Sequence, residues 1–419
     1  MMQLKKVLSP LALTSAIALA STAQAGEVEV LHWWTSGGEA AAANVLKDLL
    51  KKEGHTWEDF AVAGGGGESA MTVLKSRAVS GNPPAAAQIK GLDIQEWAQL
   101  GLLGNLDPVA SEARWDELLP PVVAKVMKYE DHYVGVPVNV HRVNWLWSNP
   151  DVFKKAGAEV PKTWDEFFVA ADKIQKAGFV PLAHGGQAWQ DATIFEAVAL
   201  GVGGADFFRK AFVDHDEATL KSDTMIKAFE VFRRLNQYID KNSAGREWNV
   251  ATNMLINGKA AMQIMGDWAK GELTSAGLTP GVDIVCTATP DTAGAFTFNI
   301  DSFVMFELED KENTKAQHAM ARLIMEPKFQ TAFNVNKGSI PVRSDVDREP
   351  FDRCATDSMD TFAESSQSGK LVPSMAHGLA TTSYVQGAIF DVVTNFFNTP
   401  SITAEEAVNK LAQAVKAAG

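Results

Sequence analysis

Between residues 27 and 101 the spacing of apolar residues switches three times from a strand period to a helix period, and no other feature limits the fold as strongly. "EVEVLHWW" (27–34) reads as a strand. "EAAAANVLKDLLKKEG" (39–54) follows as a helix with Val45, Leu46, Leu49 and Leu50 on one face and Gly54 as its stop. "WEDFAVAGGGG" (57–67) is a second strand ending in glycines, and "SAMTVLKSRAVSG" (69–81) is the next helix. "AAAQIKGLDIQEWAQLG" (85–101) supplies a third strand, a turn and a third helix. Strands that alternate with helices in this way pair in parallel, so the chain is predicted to be α/β rather than a sandwich. No internal period of 20 to 50 residues appears, which excludes solenoids and propellers.

The first 25 of the 419 residues read as a secretory signal peptide. Lys5 and Lys6 precede the apolar run "VLSPLALTSAIALA", and Ala23-Gln24-Ala25 has the small-x-small form of a cleavage site. The expected product has 394 residues (419 minus 25), more than one core normally supports, so two lobes are predicted. Loss of Lys5 and Lys6 takes the formal charge from −13 to −15. That balance disfavours nucleic acid and anionic membrane surfaces as partners and suits a neutral or cationic ligand. Cys286 and Cys354, the two cysteines, are compatible with a disulfide in an oxidising compartment or with two buried thiols.

Chemistry-bearing motifs are sparse. Gly64 to Gly67 lacks the Gly-Lys-Ser/Thr ending of a phosphate loop and reads as a tight strand-to-helix turn. The eight histidines are scattered, and neither a His-Glu-x-x-His, a Cys-x-x-Cys nor a Gly-x-Ser-x-Gly is present. No cofactor and no metal are expected.

Several blocks resemble the extracellular solute-binding proteins (family 1) of bacterial ABC sugar importers. They are "YVGVPVNVHRVNWLWSNPDVFKKAG", "VPKTWDEFFVAADKIQKAGFVPLAHGG" and "NGKAAMQIMGDWAKGEL", in that order behind the signal sequence. Within that family the chain looks closest to the periplasmic glucose/mannose-binding proteins of Gram-negative bacteria. The resemblance implies a type II periplasmic binding protein fold, two α/β lobes around a ligand cleft with a hinge. The first lobe would comprise residues 26–138 plus 298–341, and the second 139–297 plus 342–419. It also implies a periplasmic, monomeric protein that captures a monosaccharide, most readily D-glucose, with mannose and galactose as further candidates, and hands it to membrane permease subunits. An oligosaccharide or a polyol is the alternative within the same family.

A pyranose has C–H-rich faces and a hydroxyl rim, so its site needs flat aromatic surfaces and in-plane polar groups. Trp33 and Trp34 lie where a strand ends, the usual place for a ligand crevice in an open α/β sheet. Adjacent strand residues point to opposite faces, yet at a strand's end both can turn to the cleft. By the resemblance, Trp34 is one plate of a sandwich and Trp268 the opposing plate. Glu39 at a helix start would accept from hydroxyls, and Lys90 at a strand end would donate. Asn299 and Asp301, two apart in "FTFNIDSFVMF", share one face of a strand and are either paired internally or aimed at a ligand; the resemblance implies that this strand lies beside the cleft. Lys337 would donate to the sugar or pair with Asp301, and His377 would close the rim from the second lobe. Trp145 and Trp147 are read as alternating residues of a lobe-crossing strand, and Trp248 as core or cleft wall. Trp189 keeps an extended aromatic platform for a longer sugar in play. A glycosidase using Glu39 and Asp301 as its carboxylate pair is the rival reading from another class.

Overall fold

The computed structural model describes residues 25 to 419, so the segment read as a signal peptide lies, apart from Ala25, outside the described residues. From Glu27 onward the predicted alternation is present: strands Glu27–His32, Thr56–Ala61 and Ala86–Lys90 are each followed by a helix, Gly37–Lys52, Glu68–Val79 and Asp93–Gln99. Glu27–His32 is central and pairs in parallel with both other strands. Two later segments then complete the sheet. Asp301–Met305 runs antiparallel beside Ala86–Lys90, and Gly135–Pro137 runs antiparallel beside Asp301–Met305.

The helix Gly37–Lys52 shows why the pattern folds this way. Ala42, Ala43, Leu46 and Leu50 are buried, while Val45 and Leu49 are partly buried at the edge of the same stripe. At its start Glu39 Oε2 accepts the Ser36 N–H at 3.3 Å, which offsets one of the unpaired donors of a helix N-terminus. Beyond its end Gly54 takes a φ of 83°, a conformation that costs glycine little.

A second sheet has the order Val285–Ala288, Trp145–Ser148, Ala260–Ile264, Val180–Leu182. Trp145 and Trp147 are therefore buried residues of this sheet and do not form a crossing strand. Leu371–Pro373, Phe296–Asn299 and His141–Arg142 form a third, small sheet. Two large apolar clusters result. One contains Val30, Leu46, Ile89, Phe303 and Phe333, and the other Trp147, Phe167, Phe195, Phe229 and Phe396.

The run "FTFNIDSFVMF" departs from its reading as one strand. It breaks at Ile300, where the chain passes from the small sheet, ending at Asn299, into the first sheet, beginning at Asp301. Both polar residues thus stand at the meeting point of two sheets.

The sulfurs of Cys286 and Cys354 are bonded, tying strand Val285–Ala288 to helix Arg353–Ser368 across a sequence separation of 68. Closing a loop of that size restricts the unfolded chain and contributes about 2–4 kcal/mol. Reduction, or replacement of both cysteines by serine, is expected to lower the unfolding free energy by that order in a denaturant titration. An unchanged midpoint would contradict it. Among the described residues no helix is long and apolar enough to cross a membrane.

Candidate functional site

Two cross-strand pairs build the floor of the site. Lys90, the last residue of its strand, faces Asp301 in antiparallel register, and Asn299 faces His141 in the small sheet. All four line a cavity of about 290 Å³ together with Trp33, Glu39, Trp189, Trp248, Trp268 and His377. The two cores supply opposite walls: Trp33 packs on the first, and Trp189, Trp248 and Trp268 belong to the second.

Charge at the floor is organised around His141. Its Nε2 contacts Asp301 Oδ2 at 2.9 Å, and its Nδ1 contacts Asp267 Oδ1. All three residues are at most 4% exposed, so each charge depends on the others. Burial pulls the His141 pKa down, but Asp267 and Asp301 outweigh it and raise the value, favouring the imidazolium. Burial likewise pushes Asp301 up, and His141, Lys337 and Lys90 reverse this and hold its carboxyl well below the usual carboxylate range. Asn139 completes the node: its Oδ1 accepts the Asp301 N–H at 3.1 Å, and its Nδ2 donates to Asp301 Oδ2 at 3.3 Å.

Lys90 Nζ donates to Gly66 O at 3.2 Å and stands 5.1 Å from the centre of the Trp33 ring. Burial lowers its pKa, against the pull of Asp301 and Asp93. Within the glycine run, Gly66 and Gly67 have φ of 60° and 112°, which favour glycine, and two tryptophans close on them. A Cβ on Gly66 would come within 3.2 Å of Trp189, and one on Gly67 within 3.1 Å of Trp33. Across the cavity Trp268 meets His141 edge-on at 5.1 Å and lies 5.0 Å from His377. Buried Asn299 Oδ1 and His377 Nε2 have no hydrogen-bond partner in the protein, which marks them as acceptors or donors open to a ligand.

Two predicted site residues stand elsewhere. Trp34 is 2% exposed and is packed against Phe303 and Phe333 at centroid distances of 5.4 and 5.2 Å. It is a core residue between strand Asp301–Met305 and helix Pro327–Lys337, and the expected Trp34–Trp268 sandwich is corrected accordingly: Trp33 is the indole that reaches the cavity. Lys337 is 3% exposed, does not line the cavity, and pairs with Glu39 Oε1 at 3.1 Å rather than directly with Asp301. It orients Glu39 from behind. The other predicted residues, Trp33, Glu39, Lys90, Trp268, Asn299, Asp301 and His377, lie together on the cavity wall.

Sequence reasoning missed His141, Asn139 and Asp267. A signal was available for the first two in "VNVHRVNW", where polar residues alternate with valines in a segment too apolar for a solvated strand. Asp267, next to Trp268, carried none. The second wall also approaches the first by backbone alone. Gly91 has a φ of 55°, the N–H of Leu92 donates to Gly378 O at 2.9 Å, and a Cβ on Gly91 would fall 2.1 Å from that oxygen.

Over residues 33–304 the chain matches the family of bacterial extracellular solute-binding proteins. It belongs to that family. A Rhizobium meliloti protein named as a probable sugar-binding periplasmic protein is 48% identical over 416 residues, covering 99% of this chain and 100% of the relative. Among solved structures, a chitin oligosaccharide binding protein superposes with a TM-score of 0.80 at 18% identity, over 94% of this chain and 99% of its own. A bacterial solute receptor described as having an exclusive preference for β-D-galactopyranose gives 0.78 at 19% identity, over 94% and 99%. At such identities the likeness carries the fold: this solute-binding protein has the two-lobed α/β architecture of periplasmic binding proteins.

As a member of this family the solute-binding protein is a transport component and not an enzyme. The geometry agrees with that. A glycosidase acid needs a raised pKa, whereas Asp301 is held low by its cationic neighbours.

Proposed function

We propose that this solute-binding protein captures a monosaccharide, D-glucose in the first place and mannose or galactose as close variants, and releases it to its permease. The coarser statement follows from the family and from its relatives: the protein is a periplasmic sugar-binding component of an ABC transporter. The finer one rests above all on the cavity. Its volume of about 290 Å³ falls just below the roughly 300–1,000 Å³ found for small-molecule sites, which suits a small ligand. Its walls combine indole surfaces, which suit the C–H faces of a pyranose, with acceptors and donors that suit its rim. Asp301 and Glu39 are each already paired with a cation, His141 and Lys337, so neither carboxylate needs a charged ligand.

In this reading Trp33, Glu39, Lys90, Trp268, Asn299, Asp301 and His377 contact the sugar, and Lys337 acts through Glu39. The lobes comprise residues 26–138 plus 298–341 and residues 139–297 plus 342–419, and they close over the ligand as a monomer by a hinge motion. Gly91→Ala should then hinder closure, because the new Cβ meets Gly378 O and the positive φ is strained. A cost of about 1–3 kcal/mol is expected, read as a roughly tenfold to hundredfold weaker affinity. An unchanged affinity would show that the Gly91–Gly378 contact is not part of the bound state.

One observation favours a longer sugar as the second reading. A further pocket of about 300 Å³ adjoins the first and shares Trp33, Gly66, Lys90, Trp189 and His377 with it. Native mass spectrometry of the protein as isolated from its periplasm distinguishes the two. A shift of one hexose supports the proposal, and a shift of two or more linked hexoses replaces it with the oligosaccharide reading.

A further inference from the structure

His377 lines the cavity and is 6% exposed, and its Nε2 is buried with no hydrogen-bond partner in the protein. Its other ring nitrogen is occupied: Nδ1 is 2.8 Å from Ser374 Oγ. The Ser374 hydroxyl has one hydrogen, and two neighbours compete for it. Glu196 Oε1 is 2.7 Å away, and a carboxylate only accepts. Glu196 Oε2 already accepts the N–H groups of Met375 at 2.8 Å and Ala376 at 3.1 Å, contacts that favour the charged carboxylate. When Glu196 is charged, which its raised pKa of about 7 confines to alkaline pH, the serine hydrogen goes to Glu196 and the serine oxygen accepts from His377 Nδ1–H. A neutral imidazole with its hydrogen on Nδ1 carries a lone pair on Nε2.

We infer that Glu196 and Ser374 are positioning residues that fix His377 in its Nδ1–H form, so that Nε2 is an acceptor kept for one hydroxyl hydrogen of the ligand. The site then selects solutes that donate at this point and rejects those that offer an ether, carbonyl or carboxylate oxygen there, because two lone pairs would face each other. Burial, reinforced by the charges of Lys90 and His141, lowers the His377 pKa well below its ordinary value, which keeps the ring neutral. Neither Glu196 nor Ser374 lines the cavity; both act through His377.

The hydroxyl's identity rests on the sugar reading, while the tautomer is a property of the protein alone. The test is nitrogen-15 NMR of histidine-labelled protein stripped of ligand, with the His377 signals assigned by their loss in His377→Gln. It is run at pH 8.5, because burial pushes Glu196 up to about 7 against its three donors and the carboxylate must be charged. The expected result is an Nδ1–H and a bare Nε2. In Glu196→Gln the amide keeps its oxygen on the two backbone N–H groups and turns its NH₂ to Ser374, so the serine hydrogen passes to His377 Nδ1. The ring should then switch to Nε2–H, and D-glucose should bind roughly tenfold to hundredfold more weakly. Ser374→Ala, a smaller change, should give a mixture of both forms, with thermal melting used to confirm that each variant is folded. Nε2–H in the wild type, or an unchanged tautomer in folded Glu196→Gln, overturns the inference. A bare Nε2 that switches as described, in a protein that binds no monosaccharide, upholds the relay and rejects the monosaccharide assignment.

Discussion

Trp34→Ala is expected to unfold the protein far more readily while Trp33→Ala leaves it folded and unable to hold its ligand. Trp34 fills the space between Phe303 and Phe333 and is 2% exposed. Truncating a buried indole costs about 3–5 kcal/mol through lost burial and the cavity left behind. Trp33, one residue earlier, is only partly buried and lines the cavity. Its removal should cost little stability and at least about 2 kcal/mol of binding, a roughly thirtyfold loss, as for aromatic anchors elsewhere. Chemical denaturation and sugar titration on both variants separate the two effects. If Trp34→Ala folds normally and loses the ligand while Trp33→Ala keeps it, the assignment of the two indoles is reversed.

Asp301→Ala is expected to damage both stability and binding. Asp301 is 4% exposed, and its carboxylate faces the raised-pKa imidazole of His141, which is then left with Asp267 alone. Breaking a buried ion pair from one side costs about 3–5 kcal/mol. The pH dependence gives a second signature. Asp301 has a folded pKa depressed below its unfolded value, so its stabilisation is fully present above about pH 4 and is lost as pH falls through the folded value. His141 has a raised folded pKa, so its contribution is fully present below about pH 6.5 and is lost as pH rises through that raised value. The variant should therefore show a shallower acid limb and an earlier alkaline loss than the wild type. Curves of the same shape would mean that the triad does not carry charge in the folded protein. Asp301→Asn, which preserves volume, separates loss of the charge from loss of packing.

Much of the fold was legible because period-two and period-3.6 runs alternate so regularly from Glu27 to Gly101. The same period also contained the answer for the tryptophans. Val28 and Val30 are in phase with Trp34, and both valines are fully buried; Glu27 and Glu29 are in phase with Trp33. The strand's phase was overridden by the expectation that the chain turns at its end and frees both indoles. Lys337 was misjudged for a different reason. Its partner Glu39 is 298 positions away, and no local pattern reports which of two carboxylates a distant lysine will meet. The His141 node was obscured in the same way, since Asp267 and Asp301 reach it across 126 and 160 positions. The spacing of Asn299 and Asp301 showed only a shared face, and the family resemblance placed them at the cleft; the structure adds a change of sheet at Ile300 in place of one continuous strand.

The central claim is that a single small sugar occupies the cavity between the two cores. Isothermal titration of ligand-stripped protein with D-glucose, mannose, galactose and maltose tests it most directly. The account predicts saturable one-to-one binding of glucose that is lost in Trp33→Ala and Asp301→Asn. Binding of maltose with no response to any monosaccharide would contradict it.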